Sequence, residues 1–299
     1  MSDNASRARL PRVGGHPPLE GVLFDAGLTL IHERTPAREV AAEVLERLGI
    51  PFEPAALEQA MAMAMADIAS RWHRGDWWVA EASVRRLFTA GYDQGLAPLP
   101  ALAAEPTLRA RAAASIYDAY VDARHWRAFD DVLPALRALG AADVPMAVVS
   151  DWGHGLEAIL LELELGQAFA FVLVSARIGI GKPDPAVFNL ALARLGARAE
   201  RTVYIGDTYV KDVFGARAAG IVPILLDRRG DLPAMDCVVV RDLVDAVDRL
   251  GAKTTRPPAT PRTPAAAPPV VHTRPATTVV VPGRPFIPTS SLPHPPRTP

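Results

Sequence analysis

Short apolar runs alternate with helically spaced apolar residues along most of this chain. The strand-like runs fall at 22–24, 145–149, 171–175, 202–206, 222–226 and 237–240. Between the later runs, Leu156, Ile159, Leu160 and Leu163 recur at helical spacing, as do Val187, Ala191 and Leu195. Asp184 stands as the N-cap of that second helix, Pro185 at its first position and Gly196 just past its end. Strands that alternate with helices predict an α/β fold, with a parallel sheet covered by helices on both faces.

One interval breaks the rhythm. Residues 34–126 contain no convincing strand. Thr35-Pro36 opens a helix whose apolar face is Val40, Val44 and Leu48, with Gly49 closing it. Further helical stretches follow near 54–72, 80–91 and 106–124. The expected organisation is a helical lobe over 34–126, inserted into a core made of 19–33 and 127–251. The lobe emerges at the C-terminal edge of the first strand, where open α/β sheets bind ligands, so a lid is the natural expectation. Residues 1–18 read as a flexible leader. Residues 252–299 hold about half of the chain's 29 prolines and few large apolar side chains, which predicts a disordered tail. Segments such as Pro261-Arg262-Thr263-Pro264 would suit a proline-binding protein partner.

Charge sharpens this division. The tail carries six basic residues and no acid, a charge of +6, so the overall charge of −1 leaves −7 for residues 1–251. A mildly acidic body argues against nucleic acid as a partner. Cys237 is the only cysteine, which excludes an intrachain disulfide and a cysteine-based zinc site. The first 20 residues lack an apolar signal core and no apolar run approaches about 18 residues, so no membrane association and a cytoplasmic setting are expected.

Four polar landmarks sit beside the predicted strands. Asp25 follows Val22-Leu23-Phe24 and opens the tract Asp25-Ala26-Gly27-Leu28-Thr29-Leu30. Ser150 follows Met146-Ala147-Val148-Val149, with Asp151 next to it. Lys182 precedes Pro183-Asp184-Pro185. Asp207 and Asp212 follow Val203-Tyr204-Ile205-Gly206. Each has a bland reading: Asp25 as a turn former, Ser150 as a helix cap, Lys182 as a surface lysine, and Asp207 and Asp212 as turn and N-cap residues. Two carboxylates five residues apart at a sheet edge also suit Mg2+, a hard cation that prefers oxygen ligands. Gly179-Ile180-Gly181-Lys182 is not a phosphate loop, because the glycine spacing is wrong and Pro183 follows the lysine.

The order and placement of these landmarks resemble the haloacid dehalogenase-like (HAD) hydrolase superfamily, over about residues 20–250 and including a helical cap inserted after the first strand. The resemblance implies a Rossmann-like core with a small helical cap domain. It implies Asp25 as a nucleophile that becomes an aspartyl-phosphate, Ser150 as a hydrogen-bond donor to the phosphoryl group and Lys182 as its counter-charge. Thr29 and Asp151 are expected beside the phosphate. Magnesium would be held by Asp25, Asp207, Asp212 and the backbone carbonyl of Gly27. The implied activity is a Mg2+-dependent phosphatase acting on a small phosphorylated metabolite.

The tract departs from the family's Asp-x-Asp-Gly-Thr. Gly27 stands where the second acid protonates the leaving alcohol, and Leu28 replaces the usual glycine, with Gly27 a candidate to supply the turn's backbone freedom. Losing a positioned acid/base slows a reaction about 10²–10⁴-fold, so weak activity is expected unless Asp151, His154, His32 or a cap residue substitutes. Two alternatives stay open: a degenerate, non-catalytic binder of phosphate ligands, and a metal-independent 2-haloacid dehalogenase. In the lobe, Trp72, His73, Arg74, Trp77 and Trp78 read either as core anchors or as a substrate wall with Arg74 on an anion. Met61, Met63 and Met65 read as a mixed packing surface.

Overall fold

The computed structural model describes residues 10–72 and 77–254 of the chain. His73 and Arg74, and the tail beyond residue 254, lie outside the described residues.

The chain begins its sheet with β1 (Gly21–Phe24), turns, and forms β2 (Ile31–Glu33). A helical lobe follows: α1 (Ala37–Arg47), α2 (Pro54–Trp72), α3 (Glu81–Leu96), the short α4 (Pro100–Ala103) and α5 (Pro106–Tyr120). The chain returns through β3 (Trp126–Ala128) and α6 (Val132–Ala141) to β4 (Met146–Ser150). Then come α7 (Leu156–Glu162), β5 (Val172–Val174), α8 (Ser175–Ile178), α9 (Pro185–Leu195) and β6 (Thr202–Gly206). The last elements are α10 (Gly215–Ala218), β7 (Val222–Leu226), β8 (Val238–Val240) and α11 (Leu243–Arg249).

Six strands form one parallel sheet in the order β5-β4-β1-β6-β7-β8. Each predicted apolar run is a strand of it. Alternation along the strands divides their side chains between two cores. Leu23, Ala147, Val149 and Tyr204 face Val187, Phe188 and Ala191 of α9. Val22, Phe24, Val148, Val203 and Ile205 face the other side, where α6, α7 and α11 pack. Both faces are therefore buried, which is why the strands read as unbroken apolar runs. Asp184 caps α9 through the amide of Ala186 (2.9 Å), and Gly196 ends it in the left-handed region.

The strand order reverses at β1. From there the chain runs outward to β4 and β5, then crosses back to β6 on the other side. The crevice at such a switch point, outside the strand C-termini, is where this class of sheet binds ligands. Asp25, Ser150 and Asp207 all stand at that edge.

Some expectations need correction. Residues 10–18 are not a flexible leader. The amide of Val13 donates to the carbonyl of Leu250 (2.8 Å), Arg12 Nε donates to the carbonyl of Arg249 (3.1 Å), and Leu10 and Val13 pack on the core. The orphan carbonyls at the end of α11 need donors, and this segment supplies them. The ordered body also extends past 251, because Ala252 is buried and Thr254 bonds Asp248. β2 and β3 pair antiparallel, Glu33 opposite Trp126, and form a ribbon at the root of the lobe. A three-residue strand is too short to carry a periodic signal.

Within the lobe, α3 runs through Gly91 and Gly95 rather than stopping near 91. The reason is close approach. A Cβ on Gly95 would stand 2.5 Å from the carbonyl oxygen of Ala60 and 2.7 Å from the Cβ of Ala64. Ala60, Met61 and Ala64 are the buried face of α2 there, while Met63 is exposed. Gly95→Ala sets a gain in helix propensity of about 1 kcal/mol against overpacking of about 1–3 kcal/mol. Because the clash is with backbone, it wins. Urea unfolding should show net destabilisation by about 1–2 kcal/mol.

Candidate active site

Three strand ends, one loop lysine and one helical turn build the site. Asp25 leaves β1 with its amide bonded to the carbonyl of Ile205 (2.9 Å), which fixes the residue between β1 and β6. Its Oδ1 accepts hydrogen bonds from Ser150 Oγ (2.9 Å) and Lys182 Nζ (2.7 Å). Lys182 Nζ also donates to Asp212 Oδ1 (2.6 Å) and to the Tyr204 hydroxyl (3.0 Å). Asp212 lies on a π-helical turn, Tyr209–Phe214, and its Oδ2 accepts from the amide of Thr208 (2.8 Å). Asp25, Ser150, Lys182 and Asp212 are all buried.

Carboxylate oxygens of Asp25, Asp207 and Asp212 lie within 4.8 Å of one another. Burial, together with the charges of Asp25 and Asp212, holds the Asp207 carboxyl well above its usual pKa. Asp25 is also raised, first by burial and then by Asp212, although Lys182 and Ser150 oppose the shift. Burial disfavours the Lys182 ammonium, but Asp212 and Asp25 outweigh it and keep the lysine charged far above its ordinary range. Three carboxylates around one ammonium leave two negative charges in excess. A divalent cation held by Asp25, Asp207 and Asp212 would balance them, so the donor set and its charge fit a hard metal ion.

A second ion pair stands beside the first. Asp151 Oδ1 accepts from the amide of Lys182 (2.9 Å), and its Oδ2 accepts from Lys211 Nζ (2.8 Å). Lys211 is buried and sits over the rings of Trp78 (5.2 Å) and Trp72 (5.8 Å). Asp151 thus positions both lysines, and with both oxygens engaged it is not a free acid. Nothing in the sequence singled out Lys211, because its partners come from residues 60 and more positions away.

The space beside Gly27 holds an indole. A Cβ there would meet Trp152 Cζ3 at 2.9 Å. Trp152 is pinned by Ser175, whose Oγ accepts from the Trp152 amide (3.2 Å), and it packs edge-on against Trp126 at 4.9 Å between centroids. Leu28, not Gly27, takes the left-handed turn conformation, with φ 57°. Arg228 braces this turn by donating to the carbonyls of Leu28 (3.2 Å) and Thr29 (2.6 Å) while paired with Asp131 (2.9 Å).

A cavity of about 150 Å³ opens above these groups. Asp25, Gly27, Ser150, Asp151, Lys182 and Asp207 line it, and the lobe supplies an aromatic wall. Thr29 does not reach it. Its side chain is fully buried and its Oγ1 has no partner among the described residues, which corrects the expectation of a phosphate contact. His32 is buried against Phe129 (4.2 Å) and does not line the cavity. Burial and the neighbouring Arg127 and Arg228 lower its pKa to about 4. His154 is exposed and does not line the cavity either, and its amide is bonded to Glu81 (2.7 Å).

Glu33 lines the cavity from β2, a position that sequence reasoning passed over. Its Oε1 accepts from the Tyr120 hydroxyl, and burial raises its pKa. Among the described lining carboxyls, Asp25 and Asp151 are paired with lysines and Asp207 belongs to the acid cluster. Glu33 alone is neither ion-paired nor in that cluster.

Among the described residues no helix is long and apolar enough to cross a membrane. A model of the haloacid dehalogenase-like hydrolase family matches residues 19–220. Haloacid dehalogenase-like hydrolase domain-containing protein 3 of Danio rerio is 28% identical over 246 residues, covering 79% of this chain and 96% of that protein. Glyceraldehyde 3-phosphate phosphatase of Methanopyrus kandleri is 32% identical over 164 residues, covering 49% of this chain and 66% of that protein. A crystal structure of a HAD phosphatase from Thermococcus onnurineus shares the fold with a TM-score of 0.57 at 20% identity, covering 79% of this chain and all of that one. With more than half its length inside the family match, and with that family's fold, the chain belongs to the haloacid dehalogenase-like hydrolases.

Proposed function

We propose that this protein is a Mg2+-dependent phosphatase of a phosphate monoester, acting through an aspartyl-phosphate on Asp25. The observation that carries the reading is the placement of Asp25 within 4.8 Å of Asp207 and Asp212 around a single buried ammonium. Attack on carbon by a dehalogenase needs no metal, so a three-carboxylate cluster suited to a divalent cation favours phosphate over halide. Similarity to a named phosphatase, the Methanopyrus kandleri enzyme, supports the same reading.

Asp25 Oδ1 is held by Ser150 and Lys182, which leaves Oδ2 to attack phosphorus. Lys182 and Ser150 then shift toward the transferred phosphoryl oxygens and disperse their charge. Bound at Asp25, Asp207 and Asp212, with the Gly27 carbonyl as a further ligand, magnesium would neutralise repulsion between the attacking carboxylate and the phosphate. The helical lobe acts as the cap: it walls the cavity and excludes bulk water. Ser150, Lys182 and Asp151 serve as phosphate-site residues, Asp151 through its hold on both lysines.

Glu33 supplies the proton that position 27 lacks. Protonated, it donates to the leaving alcohol oxygen as the ester bond breaks. Ionised, it accepts a proton from the water that attacks the aspartyl-phosphate. Trp152 blocks any acid from the usual position, and the ribbon of β2 and β3 brings Glu33 in from the other wall.

Three outcomes test this account. Phosphate release from an aryl phosphate should require Mg2+, vanish with chelator, and fall to background in Asp25→Asn. Halide release from a 2-haloacid without metal would instead establish the dehalogenase, and ligand binding with no turnover would establish a non-catalytic binder. Asp207→Asn removes one repelling charge, so the metal-free protein should melt about 2–4 °C higher. The same variant should need more Mg2+ for half-maximal rate, because a ligand is weakened. Glu33→Gln should slow alkyl phosphates about 10²–10⁴-fold. It should slow 4-nitrophenyl phosphate, whose leaving group needs no proton, less than about tenfold. A loss that is uniform across leaving groups would make Glu33 a structural residue.

A further inference from the structure

Four of the chain's five tryptophans line one small cavity. Trp72 and Trp78 lie with centroids 4.6 Å apart, Trp126 and Trp152 4.9 Å apart, and Phe88 and Tyr120 6.1 Å apart across the remaining wall. These rings contact one another, so the wall is set by packing rather than by the ligand. From this geometry we infer that the cavity takes a phosphate monoester whose organic part is a single apolar ring, of the benzylic or aryl alcohol class. The inference rests on the phosphatase reading for the position of the phosphate.

Two observations select an apolar ring over a polar metabolite. First, both lysines among the described lining residues are committed. Lys182 is paired with Asp25 and Asp212, and Lys211 with Asp151. A second anionic group on the substrate, such as a carboxylate, finds no uncommitted ammonium among the described lining residues. Glu33, the lining carboxyl outside the ion pairs and the acid cluster, is already bonded to the Tyr120 hydroxyl. Desolvating a charge without a partner opposes binding. Second, the rest of the lining is apolar: Trp72, Trp78, Phe88, Tyr120 and Trp126 form the wall away from the groups that hold the phosphate.

The lobe side of the site is therefore a specificity element. Trp72 closes α2, Trp78 lies on the short turn before α3 and Phe88 within α3. Lys211 lies over both tryptophans and ties that wall to the core through Asp151.

The test compares three phosphates of primary alcohols, so that the leaving groups are matched: benzyl phosphate, glycerol 1-phosphate and phosphoserine. With Mg2+, kcat/KM for benzyl phosphate should exceed the other two by about 10²-fold or more, since even one methylene in an apolar pocket is worth about 10–200-fold. Trp72→Ala should reduce the ratio of benzyl to glycerol turnover at least about tenfold. Phe88→Leu, which keeps the site apolar, should reduce it less and serves if the first variant fails to fold. Benzylphosphonate, which cannot be hydrolysed, should quench tryptophan fluorescence in the Asp25→Asn protein, a readout independent of turnover. Phosphate release from all three substrates within a factor of three, or faster release from phosphoserine, overturns the ring site and leaves the phosphatase reading intact. No release from any substrate, with benzylphosphonate still bound, supports the ring site and overturns the phosphatase. Neither release nor quenching overturns both.

Discussion

The ammonium of Lys182 holds the centre of this molecule together. It sits buried between Asp25 and Asp212, at 2.7 and 2.6 Å, with the Tyr204 hydroxyl as a third partner. An isolated charge at that depth would be expelled or neutralised, and an isolated pair of acids would repel. Together they fix each other, and they come from three separate parts of the chain. Asp25 follows β1, Asp212 lies on the π-helical turn after β6, and Lys182 comes from the loop before α9. The sheet's strand order is what allows them to meet, because β1 is central and its neighbours arrive from opposite directions.

Beside that centre, aromatic packing fills the space next to Gly27. Gly27 is small because Trp152 occupies the space that a side chain would enter. The indole in turn rests on Trp126, which belongs to the ribbon at the root of the lobe. Through Trp126, the packing beside Gly27 and the position of Glu33 are tied to the same ribbon. Glu33 and Trp126 sit opposite each other in the same two-stranded ladder. The proposed proton donor and the proposed ring wall would thus be positioned by the same backbone.

Much of the fold was legible because burial on both faces makes parallel strands conspicuous. All six apolar runs became strands, and the capping signals at Asp184 and Gly196 marked the helix they bound. Much of the site was legible too, since Asp25, Ser150 and Asp207 each stand at a strand end, where a sequence reader can place them. Harder to see were groups whose meaning depends on partners far along the chain. Lys211 looks like any surface lysine until Asp151, Trp72 and Trp78 surround it. Thr29 was expected at the phosphate because it ends the tract that resembles the family's Asp-x-Asp-Gly-Thr, yet it is fully buried behind the turn at Leu28.

The sequence by itself determined the alternation of strands and helices, the helical insertion, the single cysteine and the order of the polar landmarks, because these rest on local periodicity and composition. Only the tertiary structure decided what fills the gap at Gly27, which described lining carboxyl stands outside the ion pairs and the acid cluster, and how four tryptophans come to share one cavity. Those are matters of three-dimensional proximity between segments up to 150 or more residues apart, where packing and charge balance act across the fold and leave no periodic trace along the chain.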